Sequence, residues 1–168
     1  MIYKVEKMGK FRIIGFSKDI THQKAYEECP AFWAEFREKF MLPIMDKGCP
    51  ENALEKAIID NGVGEYGVSI CNGNGFRYMI AGEYAGGTVP EEMTLTEIPE
   101  MLWAKFTGTG KMPDALQALN RRIYEEWVPG NGKYEPAETD MNIEWYSAGK
   151  INEDSYLFGI WVPVKRKG

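Results

Sequence analysis

The chain carries one order of sequence patterns twice, and this repetition most limits its fold. The first copy has an alternating strand pattern over residues 2–20, an amphipathic helix from Pro30, and two strands joined by a turn at residues 72–75. The second copy repeats the order in "MTLTEIPEMLWAKFTGTG", "PDALQALNRRIYEEW", "MNIEWYSAG" and "SYLFGIWVPV". One copy alone would leave the apolar side of its helix and one face of its sheet exposed to water. We therefore predict an α+β fold of two β-α-β-β repeats with pseudo-twofold symmetry.

Chain length and one interrupting segment define the predicted organisation. A chain of 168 residues is large enough for one well-buried core, so we expect a single domain over residues 1–168. Two glycines and a proline in "AGGTVPEE" interrupt the apolar pattern, which puts repeat one at about 1–86 and repeat two at about 90–166. If both helices cover one face of an antiparallel sheet, we expect a central cleft on the other face.

Composition argues against several classes of function. A net charge of −5, with only a short basic tail, does not suit a nucleic-acid surface. No apolar run approaches the ~20 residues needed to cross a bilayer, and the first residues lack a secretory signal, so we expect a cytoplasmic protein without membrane contact. His22 and three separated cysteines form no recognisable metal or redox motif, and neither a metal nor a cofactor is expected.

Aromatic side chains give the richest signal in the sequence. Five Trp, nine Tyr and eight Phe are ordinary core material, but such residues also line pockets for flat or cationic organic ligands. The functional question is therefore which of them point away from the core.

Several stretches resemble the GyrI-like small-molecule-binding domains, which are also the effector-binding domains of AraC-type and multidrug-responsive bacterial transcription activators. The resembling stretches are "PAFWAEF", "IPEMLWAKFTGTGKMPDALQALNRRIYEEWVPGNGKYEP" and "GIWVPVKRK", and the resemblance covers nearly the whole chain. It implies an aromatic-lined cleft for flat or cationic compounds. Regulator versions carry a DNA-binding module upstream. Because this chain begins directly with its first strand, we expect a stand-alone form without a DNA-binding domain.

The resemblance also draws attention to Gly159. The family usually carries a glutamate just before "IWIPV" in the closing strand, and this chain has glycine there. A strand glycine indicates a bulge, a close approach by another group, or an empty place beside a ligand, and the resemblance favours the last. Loss of a carboxylate implies either weaker cation binding or another acid in its place.

Strand alternation selects the candidate replacements. Glu144 and Tyr146 share one face of their strand, and Gly159 and Trp161 share one face of theirs. If the more aliphatic rows pack under the helices, all four face the cleft. Glu83 lies near the end of the first repeat's hairpin and is the other candidate acid, and the alternative for each glutamate is a solvated surface carboxylate. The residues predicted to contact a ligand are Trp33, Tyr66, Tyr78, Glu83, Trp103, Glu144, Tyr146, Gly159 and Trp161.

Three functions remain open at this point. The first is a receptor or sequestering protein for small aromatic or cationic molecules. The second, implied by some relatives of the family, is a hydrolase of strained cyclopropane-containing genotoxic compounds, with Glu144 or Glu83 as the catalytic acid or base. The third is a protein-interaction module such as a gyrase inhibitor, or a partner of a separate regulator. No Ser-His-Asp or Cys-His arrangement is present in the pattern.

Overall fold

The computed structural model describes residues 1–168 as an α+β chain whose nine strands pair antiparallel, which confirms the predicted fold class. The strands are β1 Ile2–Met8, β2 Phe11–Thr21, β3 Tyr66–Cys71, β4 Gly75–Glu83, β5 Thr94–Ile98, β6 Met101–Thr109, β7 Tyr134–Pro136, β8 Met141–Tyr146 and β9 Leu157–Arg166. The α-helices are α1 Ala25–Phe36, α2 Leu42–Lys47, α3 Ala53–Asp60, α4 Asp114–Arg122 and α5 Val128–Gly130. None of these helices combines the length and apolar character needed to span a bilayer.

The chain forms two compact units. The middle unit is Phe11–Ile98, and the terminal unit combines Met1–Lys10 with Pro99–Gly168. The β-α-β-β order is present in each, as β2, α1, β3, β4 and as β6, α4, β8, β9. In addition, β5 pairs with β2 in the middle unit, and β1 pairs with β6 in the terminal unit. The predicted repeats and these units divide the chain differently, and the repeat boundaries stay a prediction.

The middle unit packs α1 against one face of its sheet, in which the strand order is β3, β4, β2, β5. The register pairs Phe16 with Ile80 and Ile14 with Gly82, so alternate residues of β2 and β4 share this face. Phe36 of α1 is buried in the same apolar cluster as Ile14 and Ile80. This helix-packed face is the core of the middle unit.

The terminal unit follows the same rule, with strand order β1, β6, β9, β8 and β7 beside the end of β9. Phe106 of β6 pairs with Ile160 of β9, and both are buried with Leu119 of α4 and Trp127 after it. The helix-packed face of this sheet therefore carries the even-numbered residues of β9. Its odd-numbered residues, among them Gly159, lie on the opposite face.

Two helical features differ from the sequence prediction. The helix expected from Pro30 begins at Ala25, and Pro30 lies inside it, where its missing N–H removes one bond near an exposed helix start. Both main helices also pass through a π turn, Arg37–Met41 and Ile123–Trp127, in which Leu42 and Val128 donate to carbonyls five residues back. A proline follows each turn by two residues. The wider turn moves the preceding carbonyls away from the proline ring, so one local solution occurs in both units.

Backbone packing at Gly15 yields a test of this fold. A Cβ there would lie 2.0 Å from the Ile80 carbonyl oxygen and 2.7 Å from Ala81 Cα, so β2 and β4 would have to separate. We expect Gly15→Ala to lower the free energy of unfolding by about 3 kcal/mol, measured by urea denaturation. Gly9→Ala is the control, because its Cβ would meet nothing within 4 Å. An equal effect of the two substitutions would contradict the close strand packing.

Candidate ligand-binding site

The middle unit holds one aromatic pair predicted from the sequence. Trp33 of α1 donates from Nε1 to the hydroxyl oxygen of Tyr78 on β4 at 2.8 Å. Tyr78 is buried on the helix-packed face, and the Phe32 ring meets its ring edge-on with 6.4 Å between centroids. Trp33 itself packs against the core cluster, so it does not point away from the core as the sequence suggested. The hydrogen bond fixes the orientation of a half-buried indole.

The terminal unit holds a carboxylate and hydroxyl pair on β8. The Tyr146 hydroxyl donates to Glu144 Oε1 at 2.7 Å, and both side chains are half-buried. Glu144 lies opposite Ile160 and Tyr146 lies opposite Phe158, which puts both on the helix-packed face of the sheet. A charge-assisted hydrogen bond beside apolar neighbours holds a carboxylate in a defined orientation.

The sequence predicted one common sheet face for four residues, Glu144, Tyr146, Gly159 and Trp161, and this prediction is wrong. Gly159 lies opposite Trp145, and Trp161 lies opposite Ile143, so these residues occupy the face away from the helices while Glu144 and Tyr146 occupy the other. The prediction assumed that aliphatic rows identify the helix-packed side. Ile143 is 0% exposed on the far side, because both faces of this sheet bury aliphatic residues.

Gly159 has a definite structural role. The pairing of β9 with β6 and with β8 runs through it without interruption, which excludes a bulge. A Cβ at Gly159 would lie 2.9 Å from the Phe106 carbonyl oxygen, 3.5 Å from Trp145 and 3.6 Å from Trp161 Nε1. Close approach of the β6 backbone therefore explains the glycine. Trp145 and Trp161 flank the bare backbone at this point.

On the sheet face that carries Gly159, beside its register partners Thr107 and Trp145, lies an open groove of about 330 Å³. Its lining residues come from four strands and are Ile2, Tyr3, Lys4, Lys105, Thr107, Trp145 and Trp161. Lys105 Nζ lies 3.9 Å from the centroid of the Trp161 ring and 2.5 Å from Glu6 Oε1. The hydrogen bonds from Lys105 and then Lys4 hold the pKa of the Glu6 carboxyl below its usual value. A cation of the protein itself thus covers one face of Trp161.

Trp103 packs against Trp161 on the same sheet face. It is 0% exposed, and its ring meets that of Trp161 edge-on with centroids 6.4 Å apart. Trp103 was predicted as a ligand platform on an outer face. Because Trp103 is completely buried, it packs beside Trp161 and has no ring face open to a ligand.

The remaining predicted residues lie on the middle unit's face away from α1. Tyr66 pairs with Ala81 of β4 and is half-buried, whereas Glu83 at the end of β4 is exposed. Burial, and then the negative charges of Glu83 and Glu65, raise the pKa of Tyr66 to about 12. An exposed carboxylate stays solvated, which makes Glu83 the weaker of the two candidate acids.

Sequence reasoning missed the basic part of the groove. Alternation in "LWAKFTG" does place Lys105 and Thr107 on the Trp103 face, and that signal was available. Pairing of Lys4 with Lys105 joins residues about a hundred positions apart, and no local pattern predicts it.

The chain matches one protein family over nearly its whole length. Residues 4–164 match the family model described as integron-associated effector binding protein. No curated protein matches the sequence significantly.

Solved structures share the fold at low sequence identity. SAV2435, solved bound to tetraphenylphosphonium, has a TM-score of 0.76 at 17% identity, covering 98% of this chain and 94% of that one. An integron cassette protein of Vibrio cholerae has a TM-score of 0.64 at 18% identity, covering 97% and 95%. The C-terminal domain of EcmrR has a TM-score of 0.58 at 15% identity, covering 99% and 98%.

Gly159 provides a test of the close approach described above. We expect Gly159→Ala to lower the free energy of unfolding by about 2 kcal/mol, because the added Cβ would press on the Phe106 carbonyl oxygen. Gly132→Ala, whose Cβ would meet nothing within 4 Å, is the control in the same unit. Urea denaturation measures both, and a Gly159→Ala protein as stable as the control would refute the steric explanation.

Tyr66 generates a pH prediction. Its hydroxyl ionises at about 12 in the folded chain and near 10.0 when unperturbed, so the unfolded chain loses this proton first. The contribution is constant at lower pH, and stability falls as the pH rises from about 10 towards about 12. Tyr66→Phe should lose less stability than the parent between about pH 10 and about pH 12, measured by urea midpoints. Parallel losses in the two proteins would contradict the raised pKa.

Proposed function

Because the chain belongs to the family of integron-associated effector binding proteins, we propose that it binds small, flat organic compounds that are aromatic and carry a positive charge. Small-molecule binding is the function that the family match supports. The class of ligand and the residues that contact it are our proposal.

The observation that carries the proposal is the orientation of Glu144. Its carboxylate is half-buried, accepts from the Tyr146 hydroxyl at 2.7 Å, and stands on the same sheet face as Ile160. A carboxylate in such surroundings attracts an organic cation more strongly than one in water, since the local dielectric is lower. We propose Glu144 as the acid that replaces the family glutamate absent at Gly159.

A neighbour in fold supports the same class of ligand. The fold neighbour SAV2435 was solved with tetraphenylphosphonium, a cation that carries four aromatic rings. That compound is therefore a suitable first probe.

A hydrolase is the second candidate, and the Glu144 and Tyr146 pair is the observation that favours it. A carboxylate that accepts from a phenol can position water and return a proton to a leaving group. Strained cyclopropane-containing compounds are the substrates that the family resemblance suggests for such a pair.

We also propose a cytoplasmic location and action without direct contact to nucleic acid. None of the three cysteines forms a disulfide, as expected in a reducing compartment, and the net charge is −5. A separate regulator or another protein partner would then receive the signal of ligand binding.

Glu144→Gln tests the proposed cation site. The amide keeps the shape and the Tyr146 contact but removes the charge, so we expect tetraphenylphosphonium to bind about tenfold more weakly, measured by calorimetry. Glu83→Gln removes an exposed carboxylate and should leave the affinity unchanged.

Equal affinity in the parent and Glu144→Gln proteins would exclude Glu144 as the charge partner. Mass analysis separates binding from hydrolysis: a cyclopropane-containing compound recovered with one water added only by the parent protein would favour the hydrolase. Recovery of every compound unchanged would favour the receptor.

A further inference from the structure

The groove around Gly159 lies on the opposite face of the terminal unit's sheet from Glu144, and its chemistry differs. Two cross-strand rows build it. The first row is Ile2, Thr107, Gly159 and Trp145, and the second is Lys4, Lys105, Trp161 and Ile143, each in direct register across β1, β6, β9 and β8. Four strands about 4.8 Å apart span roughly 14 Å, which is long enough to accommodate a bicyclic aromatic molecule.

The first row presents bare backbone beside two indole rings that line the open groove. Gly159 contributes no side chain, and a Cβ at that point would touch both Trp145 and Trp161. The glycine is therefore bordered by two indoles, with the exposed Thr107 beside it. Two indole rings beside a glycine can make stacking and edge-to-face contacts with an aromatic ligand.

The second row sets the charge. Lys4 and Lys105 contribute two positive charges, and Glu6, which bonds to both lysines, contributes one negative charge, leaving +1 at the groove. The Lys105 ammonium already covers the Trp161 ring at 3.9 Å. A ligand cation would have to displace it and would meet like charge, so this groove disfavours the cations proposed for the Glu144 face.

We propose that this groove binds a planar aromatic acid. The ring system lies over Gly159 between Trp145 and Trp161, and the carboxylate meets the Lys4 and Lys105 ammonium groups. The Thr107 hydroxyl donates to the same anion. The site is separate from the one that holds Glu144, because it occupies the other face of the same sheet.

A matched pair of probes tests the charge preference. Naphthalene carboxylate and naphthalene carboxamide have the same ring and nearly the same shape, and differ in charge. We expect the parent protein to bind the carboxylate at least about tenfold more tightly than the carboxamide in calorimetry. Equal affinities, or no binding of the carboxylate, would overturn the proposal.

Lysine variants locate the site. Lys4→Met should weaken carboxylate binding about three- to tenfold, and Lys105→Met at least as much. Lys7→Met is the control, since Lys7 sits on the same strand, is 70% exposed against 69% for Lys4, and has one exposed ion pair on the other face. A larger loss of carboxylate affinity in Lys4→Met than in Lys7→Met supports the groove, and equal losses overturn it. Lys4 is exposed, so this comparison holds even where Lys105→Met lowers stability.

Competition distinguishes the two proposed sites. A protein saturated with tetraphenylphosphonium should still bind naphthalene carboxylate, and Glu144→Gln should leave carboxylate affinity unchanged. Mutual displacement of the two probes would overturn the separate site. Failure of the cation to bind would count against the Glu144 proposal and leave the carboxylate measurements intact.

Discussion

The unbroken register of β9 is the constraint on which the terminal unit depends. This strand pairs with β6 over eight residue pairs and with β8 over four, so the facing of every side chain on three strands is fixed together. A shift by one residue would exchange Phe158 and Ile160 with Gly159 and Trp161. At Gly159 the two strands approach closely, because the Phe106 carbonyl oxygen occupies the space that a Cβ would need. The position of both Glu144 and the groove follows from this pairing.

Opposite charges are kept apart by the same alternation. Glu144 stands on the helix-packed face, while Lys4 and Lys105 stand on the other face with Glu6 between them. Neighbouring residues of a strand point in opposite directions, so four strands are enough to carry side chains of opposite charge on opposite faces of one sheet.

The fold was largely predictable from the sequence, and the site was predictable only in part. Local patterns and family motifs gave the α+β class, the β-α-β-β order and the shared face of Gly159 with Trp161, all of which are within the reach of periodicity. The family resemblance was confirmed. The facing of Glu144 was not predictable, because Ile143 beside it is fully buried on the side away from the helices and made the aliphatic rows ambiguous. The pairings of β1 with β6 and of β5 with β2 were also not predicted, because each joins segments that are far apart in the sequence.

Position 159 carries no glutamate, and the same sheet face carries Lys105. In the related pattern a carboxylate just before "IWIPV" supplies negative charge on the Trp161 face. Here the same face carries a lysine over Trp161, and the lysine takes its counter-charge from Glu6 on the edge strand β1. A carboxylate at Gly159 would need a Cβ that the β6 backbone does not admit, and it would compete with Glu6 for Lys105. On this face the protein therefore supplies its own cation over Trp161, and Glu6 already supplies the counter-charge of that cation.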